Sequence, residues 1–213
     1  MTVTLNQFFQ KNLVAAIDLG STSVKMALLE RKDQRLFLSR LDLKEIKDGD
    51  VFSALRDLLH EVPIKQASFA VSFNGPEVGV RVLAVPPMPK AELLEAVKLE
   101  SHNYFPFPLE DALIDVETCG SAVEKGLKKE RVVLAAAPRK KVEEILSLLK
   151  KLGIQPAALI PIPYALQKFG AAFKTKPDQT QCFVDVGNSY TELVILKGKH
   201  LVFSRKIPGA ARD

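Results

Sequence analysis

The sequence predicts an α/β protein organised around a repeated three-strand unit, and three observations predict it. The turn Asp18-Leu19-Gly20-Ser21-Thr22-Ser23 recurs as Asp185-Val186-Gly187-Asn188-Ser189-Tyr190, each time between two apolar strands. Apolar runs of strand length alternate with segments of helical periodicity elsewhere, the pattern of a mixed architecture. Finally, Pro86-Pro87-Met88-Pro89 breaks the order and marks the start of a separate unit.

The first copy opens with Val14, Ala15, Ala16 and Ile17 as an apolar strand and leaves through Val24 to Leu29. A tight turn with glycine at its tip presents successive backbone N–H groups, a concavity suited to a phosphate. Ser21, Thr22 and Ser23 add hydroxyl donors, Lys25 a cation, and Asp18 a carboxylate suited to a hydrated Mg²⁺. Taken alone, the same residues also describe an ordinary hairpin, because short motifs recur by chance. Repetition decides between the two. In the second copy Asp185 answers Asp18, Gly187 answers Gly20 and Asn188 answers Ser21, with Ser189 and Thr191 completing the turn. A charged turn follows each hairpin, Arg31-Lys32-Asp33 and Lys197-Gly198-Lys199, and then a third strand, 36–43 and 200–207. Glu192 stands where the first copy has Lys25, so the second turn is not expected to be a second cationic clamp.

The remaining elements follow in order. Residues 1–12 read as a polar arm carrying Phe8 and Phe9. Strands are expected at 13–18, 23–30 and 35–43. Asp50 is placed to cap a helix whose apolar residues Phe52, Leu55, Leu58, Leu59 and Val62 recur at helical spacing, ending at Pro63. Strands 67–73 and 78–85 flank the turn Asn74-Gly75-Pro76. Residues 90–104 read as a helix, with Leu93, Leu94, Val97 and His102 on its apolar and mixed faces; Phe105-Pro106-Phe107-Pro108 stops it, since a proline disfavours helix at the residue before it. Strands 112–118 and 131–137 are joined by a charged turn. An amphipathic helix 143–152 ends at Gly153, a further strand covers 154–160, a helix covers 164–173, and 174–180 is a polar linker into the second repeat.

Bulk properties narrow the function. A chain of 213 residues with 26% charged and 47% hydrophobic residues is ordinary for a globular protein large enough for a sizeable core. No apolar run spans a bilayer and no signal-peptide pattern is present. Cys119 and Cys182 form no disulfide framework, which together reads as cytoplasmic. The net charge of +5 is modest. Lys128, Lys129 and Arg131, and then Arg139, Lys140 and Lys141, read as solvated faces rather than a nucleic-acid site; an anionic membrane surface or acidic partner is the better functional alternative. His60, His102 and His200 lack metal-ligand spacing.

With both turns in view, the chain resembles the actin-like ATPase superfamily, whose two lobes each present such a hairpin to a nucleotide lying between them. Asp18 to Lys25 resembles the family's first phosphate hairpin and Asp185 to Thr191 its second. The insert after Pro89 resembles the FtsA/PilM branch, which carries a small α/β subdomain called 1C or SHS2 at this place. The helix Ala91-Glu92-Leu93-Leu94-Glu95-Ala96-Val97, Glu100 after it, and the run Tyr104-Phe105-Pro106-Phe107-Pro108-Leu109-Glu110-Asp111 are similar to the PilM family of type IV pilus assembly. The resemblance covers the chain from about Leu13 to its end.

The resemblance implies an actin-like, ribonuclease H-like lobe, subdomain 1A, over 1–89 with a return helix at 158–176. It implies an SHS2 insert over 90–157 and the start of second-lobe subdomain 2A over 177–213. The chain is thus expected to be an N-terminal part, with the adenosine side missing. ATP would be held by Asp18, Gly20, Ser21, Thr22, Ser23, Lys25, Asp185, Gly187, Asn188, Ser189 and Thr191, with Mg²⁺ bridged through water to Asp18 and Asp185. In the actin family a glutamine near the start of the connecting helix positions water. Ile160-Pro161-Ile162-Pro163 offers no such side chain and Gln167 lies well inside the helix, so the expected activity is at most a weak ATPase. The implied role is a cytoplasmic scaffold peripheral to the inner membrane. Its implied partner is the N-terminal cytoplasmic peptide of a PilN-like membrane protein, docked in a groove between the first lobe and its insert near Tyr104, Phe105 and Phe107. Nucleic acid is not an expected partner, and self-association stays open. The alternatives are an FtsA-like division protein, a sugar kinase, which the insert argues against, and a degenerate lobe that binds no nucleotide.

Overall fold

The structure is a computed structural model that describes residues 11–33, 35–100, 105, 107 and 110–209. Residues 1–10 of the arm expected over 1–12, Tyr104, His102 and the last turn of the helix expected over 90–104 lie outside the described residues. The chain forms two compact units, one of residues 1–74 with 143–160, the other of 75–142 with 161–213.

The first unit is a five-stranded sheet in the order β3-β2-β1-β4-β8. Its strands are β1 (Leu13–Leu19), β2 (Ser23–Lys32), β3 (Arg35–Glu45), β4 (Ala67–Phe73) and β8 (Ala158–Pro161). β1 runs antiparallel to β2 and parallel to β4. Alternation sets the core face: Ala67, Phe69, Val71 and Phe73 are buried in β4 and the residues between them are half-buried. Val24, Met26 and Leu28 do the same in β2. Helix α1 (Val51–Leu58) packs on β2 and β3 through Leu55 and Leu58, both fully buried. Asp50 caps it, accepting from the Ser53 N–H at 3.0 Å, and that bond holds its carboxyl below the usual carboxylate range. The helix ends at Leu58, short of the expected Val62, and Glu61 turns the chain at a φ of 69° ahead of Pro63.

Helix α3 (Arg139–Lys151) starts four residues earlier than its apolar stripe suggested. It closes in a Schellman motif, the Gly153 N–H donating to Lys150 and the Ile154 N–H to Leu149, with Gly153 at a φ of 74°. That closure, followed by Pro156, keeps residues 154–157 out of the expected strand. Pairing begins only when the Ala157 N–H reaches the Phe69 carbonyl at 2.8 Å.

The second unit holds two three-stranded sheets, ordered β5-β7-β6 and β11-β10-β9. The strands are β5 (Gly79–Val85), β6 (Ala112–Glu124), β7 (Leu127–Pro138), β9 (Thr180–Val186), β10 (Tyr190–Lys197) and β11 (His200–Pro208). With helix α2 (Lys90–Glu100) between β5 and β6, residues 79–138 run strand–helix–strand–strand. β5 is the main departure from the sequence expectation. Assigned to the first lobe on the near side of Pro89, it pairs instead with β7, from Gly79 opposite Ala136 to Val85 opposite Glu130. β4 has β1 on one side and β8 on the other, so the strand that follows it in the chain cannot pair beside it. The chain therefore leaves the first sheet at Asn74, and the prolines link β5 to α2.

Both faces of the β5-β7-β6 sheet are covered. Leu93 of α2 and Phe105 pack on one, with Val116, Val132, Leu134 and Ala136. Val80, Cys119 and Val133 on the other meet Val194, Leu196 and Leu201 of the second sheet. Gly79 permits the Phe105 seat, since a Cβ there would stand 2.4 Å from the ring. Helix α4 (Ile162–Ala171) was expected to return to the first lobe; it lies instead against β10 and β11. Gly170 makes that approach, and any Cβ there would meet Leu196 at 2.4 Å and the Phe183 ring at 2.7 Å. Among the described residues, no helix is long and apolar enough to cross a membrane.

Overpacking of a fitted interface costs about 1–3 kcal/mol. Gly170→Val should therefore lower unfolding stability by about that amount in a urea titration, while Ala172→Val, on the exposed residue just beyond α4, should leave the midpoint in place.

Candidate functional site

The two candidate phosphate turns close by the same device at one constant offset along the chain. The Gly20 N–H donates to the Ser23 carbonyl at 3.1 Å, and the Gly187 N–H to the Tyr190 carbonyl at 3.0 Å. A Cβ on Gly20 would stand 2.7 Å from the Ser23 oxygen, and one on Gly187 2.8 Å from that of Tyr190. Only glycine allows this crossing, and the obstacle is backbone in both turns. Each turn is then tied to the residue just after its third strand. Ile46 N–H donates to the Thr22 carbonyl at 2.8 Å and Gly209 N–H to the Ser189 carbonyl at 3.4 Å. Ser21 and Thr22 are exposed at the first tip and Ser23 is half-buried; Asn188, Ser189 and Thr191 are half-buried at the second.

Asp18 is positioned by strands on both sides. Register puts Lys25 opposite it on β2 and Ser72 opposite it on β4. Ser72 Oγ donates to Asp18 Oδ1 at 2.7 Å and Lys25 Nζ to Oδ2 at 3.1 Å. The Lys25 side chain is half exposed and that of Asp18 about one third. The sequence singled out Asp18 and Lys25 but missed Ser72, because a parallel partner fifty-odd residues away leaves no local signal.

The second hairpin carries different chemistry at the matching positions. Asp185 is exposed and Glu192, opposite it, is buried at 1% exposure. The cation comes from one strand further on. Lys206, opposite Glu192 on β11, places Nζ 3.4 Å from Glu192 Oε1. Nζ also donates to the Val78 carbonyl at 2.7 Å and to the Gly75 carbonyl, and it lies 5.6 Å from the Tyr190 ring centroid. Burial pulls the Lys206 pKa below its ordinary value, Glu192 pulls it back up, and Arg81 adds repulsion. Glu192 was read as leaving the second turn without a cation, and the structure places the Lys206 ammonium beside it from the next strand. A Glu–Lys pair across the third strand was the available signal. Among the described residues no group of three or more His, Cys, Asp or Glu side chains gathers as a metal cage. Gln167, the remaining candidate for positioning water, is buried at 5% exposure within α4.

Within the second unit lies a groove of about 610 Å³ beside β5 and β11. Phe105 and Phe107 form part of its wall, their ring centroids 5.5 Å apart, with Tyr190, Val82 and Phe203 adding apolar surface. Phe105 is buried in the core and Phe107 is half-buried. Arg81, over the Phe105 ring at 5.6 Å, with Arg205 and Lys206, lines it with positive charge.

Paired glycine-closed hairpins on an α/β frame define an actin-like ATPase fold. A Bacteroides thetaiotaomicron protein described as having that fold and unknown function superposes with a TM-score of 0.53 at 9% identity, over 94% of this chain and 71% of the other. Within that class, the chain belongs to the family described as type IV pilus assembly protein PilM, whose sequence profile matches residues 16–208. A chain of a structure described as a PilM-PilN type IV pilus biogenesis complex shares the fold with a TM-score of 0.76 at 24% identity, covering 93% of this chain. This chain spans 62% of that one. The cytoplasmic domain of EpsL, described as an inner membrane component of the type II secretion system of Vibrio cholerae, is also similar in fold. Its TM-score is 0.59 at 14% identity, over 92% of this chain and 71% of its own.

Because the blocking atom at each turn is backbone, Gly20→Ala and Gly187→Ala should each force their hairpin open. Native-state amide exchange should show lost protection at the alanine N–H and at the residue after the third strand, Ile46 or Gly209. A glycine needed only for flexibility would leave that protection unchanged.

Proposed function

We propose that this chain is the nucleotide-binding part of a type IV pilus assembly scaffold, cytoplasmic and peripheral to the inner membrane, that holds ATP–Mg²⁺ and docks a membrane-protein peptide. The observation that carries it is the matched closure of the two turns, together with membership of the PilM family.

The residues fit the nucleotide. Glycine lets each turn close tightly on its own backbone, giving a tip of the kind that suits a phosphate, and Ser21, Thr22, Ser23, Asn188, Ser189 and Thr191 supply hydroxyl and amide donors. Asp18 is a carboxylate already neutralised by Lys25 and steadied by Ser72. Such a pair separates usefully when a nucleotide arrives: the ammonium turns to phosphate oxygens and the carboxylate to a hydrated cation. Mg²⁺ would neutralise the phosphate charge that Asp18 and Asp185 otherwise repel. Subdomains 1A, the SHS2 insert and the start of 2A are the proposed identities of the first sheet, of residues from β5 through β7, and of β9–β11. Hydrolysis has no support in the connecting segment, whose glutamine is buried.

The partner reading is carried over to the groove beside β5, whose lining comes from the insert and from β10 and β11, not from the first lobe and the insert as the resemblance implied. A PilN-like N-terminal peptide would set its apolar side chains against Phe107, the less buried of the two rings, while Phe105 serves the core. Family membership favours this pilus reading over a cell-division one.

Two measurements on the full-length protein test the proposal. Asp18→Ala or Lys25→Ala should weaken ATP–Mg²⁺ binding about tenfold or more by calorimetry, the value of a lost charge-assisted contact; unchanged affinity in both variants removes the nucleotide from the first hairpin. Phe107→Ala should weaken a short leucine-paired peptide by about 1–2 kcal/mol with its melting curve held. Lost thermal stability with full peptide affinity would make the ring core and move the groove elsewhere.

A further inference from the structure

β5 is the edge of its sheet, paired with β7 on one side only, and the groove runs beside its open edge. Cations occupy that edge. Arg81 Nη1 donates to the Val80 carbonyl at 2.9 Å and Lys206 Nζ to the Val78 carbonyl at 2.7 Å. Charged side chains on an edge strand block unwanted pairing, and here they stand where the N–H groups of a further strand would stand. The two cations are not equivalent. Lys206 is neutralised by buried Glu192, whereas Arg81 holds only a carbonyl and the face of Phe105, with no carboxylate paired to it among the described residues. Arg81 also repels Lys206, and Arg205 adds charge against Glu77, the one acid among the described lining residues.

We infer that the groove takes an extended peptide by strand addition along the open edge of β5, and that Arg81 selects a peptide carrying an acidic side chain by exchanging the Val80 carbonyl for that carboxylate. The inference rests on the partner-peptide reading above and specifies its chemistry. Strand addition supplies main-chain bonds, and alternate side chains fall into pockets. Phe107 on the α2 side of the sheet, and Tyr190 and Phe203 on the side of the second sheet, receive alternate apolar side chains of the peptide, and the acid relieves the uncompensated charge at Arg81. The volume is in the range of ligand pockets, ~300–1,000 Å³. Arg81 is thus a specificity-determining residue, and freeing the Val80 edge is coupled to reading the acid.

The test titrates full-length protein with leucine-paired peptides in which one Asp is scanned along the sequence, each against its Asn counterpart, and with the best Asp peptide N-methylated at single backbone amides. At one position Asp should bind about tenfold tighter than Asn, the worth of a charge-assisted bond, and at least one N-methylation should cost a similar factor. Arg81→Met should bring the Asp and Asn peptides to equal affinity with the melting curve held. Arg81→Lys, carried alongside in case the Met variant unfolds, should keep part of the preference. Equal affinity for Asp and Asn throughout the scan, a preference that survives Arg81→Met, or indifference to every N-methylation overturns the inference while leaving the partner peptide in place. Failure of every peptide to bind overturns both. Sedimentation of the protein alone as a dimer that peptide does not dissociate would seat a second copy on β5 and overturn it too.

Discussion

A glycine N–H donating across the turn to the carbonyl three residues on is the constraint from which both hairpins follow. The approach leaves under 3 Å for a Cβ at Gly20 and at Gly187, against a backbone oxygen that cannot swing away. Once the turn is closed this tightly, register follows: Asp18 must face Lys25, and Asp185 must face Glu192. The third strand then anchors the tip through Ile46 or Gly209. The shape of each tip is a property of this closure more than of any one side chain.

The second hairpin shows how the same frame carries different electrostatics. Burying Glu192 and Lys206 together is costly, because each gives up hydration that their attraction only partly returns. The additional bonds from Lys206 to the Gly75 and Val78 carbonyls make the burial tolerable, since backbone acceptors satisfy the remaining ammonium protons. The pair therefore joins the second hairpin to the turn that leads into β5. Removing either partner alone would strand a buried charge, a loss of about 3–5 kcal/mol, far more than an exposed ion pair is worth. The exposed Lys25–Asp18 pair is the opposite case, open to exchange of partners at little cost.

Aromatic packing sets the insert apart. Phe105 lies over β5 because Gly79 has no side chain, and Phe107 leans on Phe105 at the groove wall. One ring thus belongs to the core and the next to a surface. An arginine over the first ring joins the packing to the charge of the groove.

The local elements were legible in the sequence. β4 falls where the apolar run 67–73 put it, Asp50 caps α1, Gly153 ends α3, and the repeat of Asp-x-Gly located both hairpins with their candidate residues from Asp18 to Lys25 and from Asp185 to Thr191. These follow from sterics and hydrogen bonding within a few residues, which composition and spacing record directly. Partnership between distant segments was not legible. The apolar run at 78–85 says that a strand forms and says nothing of which edge accepts it; in the fold it pairs with β7, while β4 has neighbours on both sides. The helix that ends near Ala171 carries no mark of the sheet it covers beyond Gly170, whose meaning appears only beside Leu196 and Phe183. Ser72 beside Asp18 and Lys206 beside Glu192 likewise depend on register across separate strands. The sequence by itself determined the turns, caps and faces, because these are short-range. Only the tertiary structure decided which strand met which and where each charge found its partner, because those choices turn on free edges and buried volume shared by residues far apart in the chain.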